Sequence, residues 1–147
     1  SRIIFAGPVS HDLHLARFSC ADVFLDTFVC NAHTTAIEAL AIGLPVVTLK
    51  GLTVVSRVGA SLLSAHGLSE LIHENPDGYI ECACRLANDT AYYKTIRGRA
   101  ASRTNSRLFS TARRVRELES AYTEMWRRKA DGLQPVDFDV PAMEGAP

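Results

Sequence analysis

The strongest constraint on the fold lies between positions 21 and 49, where two apolar runs of strand length, ADVFLDT and PVVTL, flank one helix-patterned segment, TTAIEALAIG. A single helical crossover with short joins carries the chain back to the edge from which the first strand started, so the second strand runs parallel to the first. The pattern continues on both sides. RIIFAG reads as a short buried strand ended by Gly7-Pro8, and SHDLHLARF as a helix with Ser10 as its N-cap. After PVVTL come a further helix, SRVGASLLSAHG, closed at Gly67, and a short segment, LSELI. Strands alternating with helices of about ten residues predict an α/β chain built on a doubly wound, Rossmann-like parallel sheet.

Strand signals stop after position 76. Helices are expected over 77–88, 90–103 and 111–129, and the last carries Val115, Leu118, Tyr122 and Met125 or Trp126 at spacings of three and four. Such a stripe is expected to pack back on the sheet or on a neighbouring domain. The segment LQPVDFDVPAMEGAP has neither period and reads as an extended or disordered tail. The expected organisation is an α/β part over 1–76, helices of the same lobe over 77–131, and a tail over 132–147.

A chain of 147 residues, 47% of them hydrophobic, can bury a core, and it reads as one compact domain or a piece of a larger one. Its formal net charge of zero disfavours nucleic acid and anionic membrane as partners, because both are held by neutralising many phosphates. A small molecule or a protein is the expected ligand. Cys20, Cys30, Cys82 and Cys84 show no CxxC spacing, and two of them lie in apolar runs that suit a reduced, buried thiol. Cys82 and Cys84, two apart on a helix, point about 200° apart and make a poor metal pair. With no signal peptide and no membrane-spanning run in view, a reducing, cytoplasmic setting is expected. The opening SRIIFAG lacks an initiator Met and enters a strand at once, as the middle of a domain would.

In open α/β sheets, ligands sit beyond the carboxyl ends of the strands, and DTFVCNAHTT leaves such an end. A helix starting at Thr34 or Thr35 offers unpaired backbone amides and the positive end of its dipole, a combination suited to phosphate. His33, Thr34 and Thr35 add an imidazole and two hydroxyls. A simpler reading stands beside this one, since Thr35-Ala-Ile-Glu38 fits a capping box that needs no ligand. His14 and Arg17, three apart on the first helix, share a face that is either solvated or turned to a nucleotide. Asp22 and Asp26 flank the second strand and read as turn or cap residues rather than bases. No GxxxxGK[ST] or GxGxxG loop is present. The basic residues Lys94, Arg97, Arg99, Arg103, Arg107, Arg113, Arg114 and Arg116, with only Tyr92, Tyr93 and Phe109 as aromatic neighbours, read as a solvated face rather than a nucleic-acid surface.

The run ADVFLDT, CNAHTT, GLPVVTL and SRVGASLL, at these intervals and within a similarity that extends through YYKTIRGRA and LFSTARRVRELESAYTEMW, resembles the carboxy-terminal part of the catalytic region of the protein O-GlcNAc transferase and SPINDLY family. The resemblance implies a GT-B glycosyltransferase whose carboxy-terminal lobe holds the donor nucleotide, with positions 1–76 as the nucleotide-binding part. It implies that His33, Thr34 and Thr35 contact the donor diphosphate and stabilise the leaving group, and that Glu38 meets the ribose hydroxyls. His14 and Arg17 would line the nucleotide pocket, and the loop Val9-Ser10-His11 would read the uracil edge. Three positions differ from the family's usual residues: Glu38 stands for Asp, His11 for Lys and Ala32 for Gly, differences that bear on donor affinity rather than donor class.

The implied activity is inverting transfer from UDP-GlcNAc to Ser or Thr of proteins, independent of metal and of any other cofactor, with neither nucleic acid nor membrane as partner. The HTT form resembles the UDP-GlcNAc enzymes more than the SPINDLY fucosyltransferases. No catalytic base is assignable in these residues. The amino-terminal lobe and the tetratricopeptide repeats that bind protein acceptors are expected outside them, so the segment alone is expected to be inactive. A related transferase using UDP-glucose or GDP-fucose, and a non-enzymatic helical interaction module, are the competing readings.

Overall fold

The computed structural model describes residues 2–102 and 106–141. The elements are α1 (His11–Phe18), β1 (Phe24–Leu25), α2 (Thr34–Ala41), β2 (Val46–Leu49), α3 (Val58–His66), β3 (Ile72–His73), α4 (Pro76–Asn88), α5 (Thr90–Ala101) and α6 (Thr111–Ala130). Two compact units result, Ser1–Leu108 and Phe109–Pro147. The first holds the sheet and α1 to α5, and the second holds α6 and the segment after it.

The architecture is α/β with a parallel sheet, as the alternation predicts. The strands lie in the order β1-β2-β3. Phe24 pairs with Val46 and Leu25 with Val47, while Thr48 pairs with Ile72 and Leu49 with His73. Val46, Val47 and Thr48 are all fully buried, so β2 is covered on both faces, the mark of the central strand in a parallel sheet. Helices α2 and α3, which make the crossovers, pack on β2 and on each other, and α4 packs on β2, β3 and α5. Leu40, Leu44, Leu63, Leu68, Leu71 and Ile96 complete this core, each at most 1% exposed. Burial of side chains of this size contributes about 1.5–3 kcal/mol apiece.

Local signals set the helix ends. Asn75 caps α4 by accepting from the Gly78 amide at 2.9 Å, with Pro76 as the first helical residue, and Asp89 caps α5 by accepting from the Tyr92 amide. Gly43 closes α2 at φ +76°, where a Cβ would stand 2.8 Å from the Ala101 Cβ. Only glycine meets both demands, the left-handed turn and the close approach of α5.

Several expectations are corrected. RIIFAG forms no strand: residues 2–10 have no regular structure, and Ile4 and Phe5 are 89% and 94% exposed. A strand draws its stability from a neighbour along its edge, and the described sheet contains β1, β2 and β3 alone. Of ADVFLDT only Phe24 and Leu25 are regular strand, and the short segment LSELI holds a 3-10 turn at Ser69–Leu71, while its last residue, Ile72, begins β3. Ser10 stands at the N-cap of α1 but makes no side-chain capping bond. The helix expected over 90–103 ends at Ala101; Arg103 lies outside the described residues, as do residues 142–147 of the expected tail. On α6, Val115, Leu118, Tyr122, Met125 and Trp126 are between 46% and 71% exposed. The segment that follows runs along a different face of the helix, where Phe138 and Val140 line a groove with Arg116, Ser120 and Thr123.

Candidate functional site

The turn between β1 and α2 is organised by two buried polar side chains. Asp26, 2% exposed, ends the first strand. Its Oδ1 accepts from the Ala32 amide at 2.7 Å and the Thr27 amide at 2.9 Å, and its Oδ2 accepts from the Thr48 hydroxyl at 2.6 Å. Asn31, 3% exposed, donates from Nδ2 to the Thr27 carbonyl at 2.8 Å and accepts at Oδ1 from the Gly59 amide at 3.2 Å. The Asn31 amide donates to Val55 O at 2.9 Å, and the Thr27 hydroxyl donates to Cys30 O. Tyr79, on α4, donates its hydroxyl to the backbone oxygen of Asp26 at 3.1 Å. Burial, and secondarily the charge of Asp26, hold the Tyr79 phenol above its usual range.

A turn pinned at Asp26 and Asn31 leaves the chain no choice of where the next helix starts. His33 takes the N-cap position of α2, with no side-chain cap bond, and Thr34 and Thr35 are its first two residues. The capping box expected at Thr35 and Glu38 is therefore not formed, because Thr35 already lies inside the helix. A capping box does occur at Thr53 and Ser56, around a 3-10 turn. His33 and Thr34 are exposed and Thr35 is half-buried. The first amides of α2 have no acceptor within the helix, and the cap side chain supplies none.

The other candidates stand on α1 and just before it. Helix α1 packs on α2, and His14 Nε2 lies 3.7 Å from Glu38 Oε2. Glu38 is one helical turn beyond Thr34, so the two share a face of α2. The His14 ring meets Phe18 edge-on, with centroids 4.9 Å apart, and Phe18 meets Phe24 of β1. Arg17 Nη2 donates to Gly7 O at 3.1 Å, which ties the chain just before Val9 to α1. Val9 and His11 are exposed. The structure thus joins Glu38 to His14 across two helices, sets Thr34 and Thr35 at the head of α2, and leaves His33, Val9 and His11 open to solvent. Sequence reasoning took Asp26 for a turn residue and passed over Asn31, Thr48 and Tyr79. The usable signal was a carboxylate at the end of an apolar strand with an Asn five residues later.

The remaining polar features are plain. Arg99 pairs with Glu70 and donates to Gly67 O, and Arg113 and Arg114 share Glu117. Only Cys82 is buried; Cys20, Cys30 and Cys84 are exposed, the first two in turns that interrupt the apolar runs. Cys82 and Cys84 face opposite ways on α4, as their spacing predicts. No cluster of three or more His, Cys, Asp or Glu side chains suited to a metal ion occurs among the described residues. None of the described helices is long and apolar enough to cross a membrane.

The family model for glycosyl transferase family 41 matches residues 1–118. The chain belongs to glycosyl transferase family 41. It is 36% identical over 138 residues to a UDP-N-acetylglucosamine–peptide N-acetylglucosaminyltransferase of Caenorhabditis elegans, covering 93% of this chain and 12% of that protein. It is 38% identical over 136 residues to a probable transferase of the same description, SPINDLY of Solanum lycopersicum, covering 92% of this chain and 14% of the relative. Among solved structures, a mutant O-GlcNAc transferase of Thermobaculum terrenum superposes with a TM-score of 0.74 at 34% identity, over 85% of this chain and 24% of that one. This family 41 chain therefore spans about an eighth of the curated relatives it matches, and its Rossmann-like sheet is the GT-B lobe that the resemblance implied.

Proposed function

We propose that this chain forms the donor-nucleotide side of a protein O-GlcNAc transferase, holding UDP-GlcNAc with its diphosphate at the head of α2. The observation that carries the reading is the pinned turn: two buried side chains hold it so that His33 and Thr34 are exposed and the first amides of α2 have neither an acceptor within the helix nor a cap side chain. An array of fixed N–H donors at a helix N-terminus stabilises negative charge, and here that charge would grow on the diphosphate as the sugar departs. His33, Thr34 and Thr35 are the leaving-group residues, Glu38 with His14 takes the ribose, and Arg17, Val9 and His11 surround the base. In this reading the fixed donors do the work a metal ion would otherwise do.

The acceptor is a Ser or Thr hydroxyl of a protein, which attacks the anomeric carbon with inversion while UDP leaves. The base and the acceptor-binding surface lie on parts of the protein beyond these residues, and its setting is cytoplasmic. The HTT turn favours UDP-GlcNAc over the GDP-fucose of the competing reading. The test is sugar transfer to a Ser/Thr peptide by the intact protein and its His33→Ala variant. The expected result is loss of turnover by about 10²-fold or more, the scale of a missing donor where charge develops. Unchanged turnover returns His33 to the status of a helix cap.

A further inference from the structure

We propose that Asp26 is a positioning residue of the donor site, whose buried carboxylate sets the place at which His33 and the head of α2 meet the diphosphate. The inference rests on the reading of α2 given above. Asp26 is 2% exposed and forms no ion pair among the described residues. A buried charge without a cation is costly unless hydrogen bonds and dipoles replace the lost water. Both are present. Three donors converge on the carboxylate, and Gly59 in the first turn of α3 stands so close that a Cβ there would collide with Asp26 Oδ2 and Thr48 Oγ1. The positive end of the α3 dipole thus lies against the carboxylate.

The two oxygens serve different parts of the molecule. Oδ2 joins β1 to β2 through Thr48, which is a matter of fold. Oδ1 holds the amides of Thr27 and Ala32, the two ends of the turn, and Ala32 is the residue before His33. Asn31 ties the same turn to α3 through the Gly59 amide. Without these bonds the exposed residues 27–30 keep the Thr27–Cys30 bond and the edge contact of Phe28 on Tyr79, but the tie from the turn to Ala32 is lost and the start of α2 would vary in position. Misplacement of a reacting array by about 1 Å can cost 10²-fold in rate, which is the way a carboxylate that touches no substrate can govern turnover.

The experiment compares Asp26→Asn, Asn31→Ala, Thr48→Val and His33→Ala, and the Asp26→Asn/His33→Ala pair, in the intact protein. Turnover number and KM for UDP-GlcNAc are read with a Ser/Thr peptide, and melting temperature is read alongside. Asp26→Asn replaces an acceptor with a donor and is expected to lower kcat by about 10- to 100-fold. Asn31→Ala loosens the same turn without touching the buried charge and is expected to lower kcat too, which covers the case in which Asp26→Asn does not fold. Thr48→Val breaks only the Oδ2 bond and is expected to lower the melting temperature with kcat kept. In the His33→Ala background Asp26→Asn is expected to lower kcat by a smaller factor than in the wild type, because both act through one array. The inference is overturned if Asn31→Ala and any folded Asp26→Asn keep wild-type kcat, or if the losses of Asp26→Asn and His33→Ala multiply. If His33→Ala alone keeps full turnover, the diphosphate reading falls and the inference with it; if His33→Ala loses turnover while the turn variants do not, only the positioning role falls.

Discussion

His14 on α1 and Glu38 on α2 bring Nε2 and Oε2 to 3.7 Å, and this pair is a direct polar link between the two helices that carry the candidate donor residues. It exists because residue 38 is Glu: an Asp there would stop one methylene short of the imidazole. With side chains 38% and 21% exposed, the pair is screened and adds little to stability, so its weight falls on where the Glu38 carboxylate points.

Glu38→Gln keeps a hydrogen-bonding group of the same length but removes the charge that favours a ribose diol and His14. The expected outcome is a raised KM for UDP-GlcNAc with the melting temperature held within about 2 °C, since a surface pair contributes at most ~1 kcal/mol. A variant that melts much earlier yet keeps its donor affinity would assign Glu38 to the fold.

UDP is expected to raise the melting temperature of the intact protein, because a ligand bound only by the native state stabilises it by mass action. GDP is expected to do less. Thermal scans with each nucleotide decide it, and equal shifts, or none, would remove the uridine assignment.

Turnover is expected to persist after exhaustive treatment with a chelator. The proposed site meets the diphosphate with helix amides, hydroxyls and an imidazole, none of which a chelator removes. Loss of transfer that returns on adding a divalent cation would contradict this.

Tyr79→Phe is expected to cost about 1 kcal/mol, the net worth of the hydrogen bond to the Asp26 backbone oxygen. It also carries a pH signature. The folded state keeps this phenol neutral beyond its ordinary value of 10.0, while the unfolded chain ionises there first. The unfolded state then holds fewer protons, so the contribution present below that pH is lost as pH rises above it. Melting curves of wild type and Tyr79→Phe between pH 8 and about 11 should show the steeper alkaline decline in the wild type. Equal slopes would mean that Tyr79 ionises as freely in the fold as outside it.

Gly43→Ala is expected to destabilise by about 1–3 kcal/mol, the range for a non-glycine residue held in the left-handed region. The new methyl would also press on Ala101. Equilibrium urea unfolding measures the loss, and an unchanged midpoint would show that α2 and α5 can part without cost.

Periods and breakers are properties of neighbouring residues, and what depends on them was readable from the chain alone. The helices at α2, α3, α4, α5 and α6, the stop at Gly67 and the parallel α/β class follow from spacing, and GLPVVTL announces β2 by its unbroken apolar run. Features that need a partner were not readable. RIIFAG has every local mark of a strand and is none, since it pairs with no strand of the described sheet and leaves backbone and side chains to water. Thr35 has every local mark of an N-cap and loses the position to His33, because the turn before it is held by Asp26 and Asn31, whose own partners Thr48, Gly59 and Tyr79 lie 22, 28 and 53 positions away. Spacing along a chain encodes which face a side chain takes, whereas a buried carboxylate finds its donors only when strands and helices distant in sequence have closed around it.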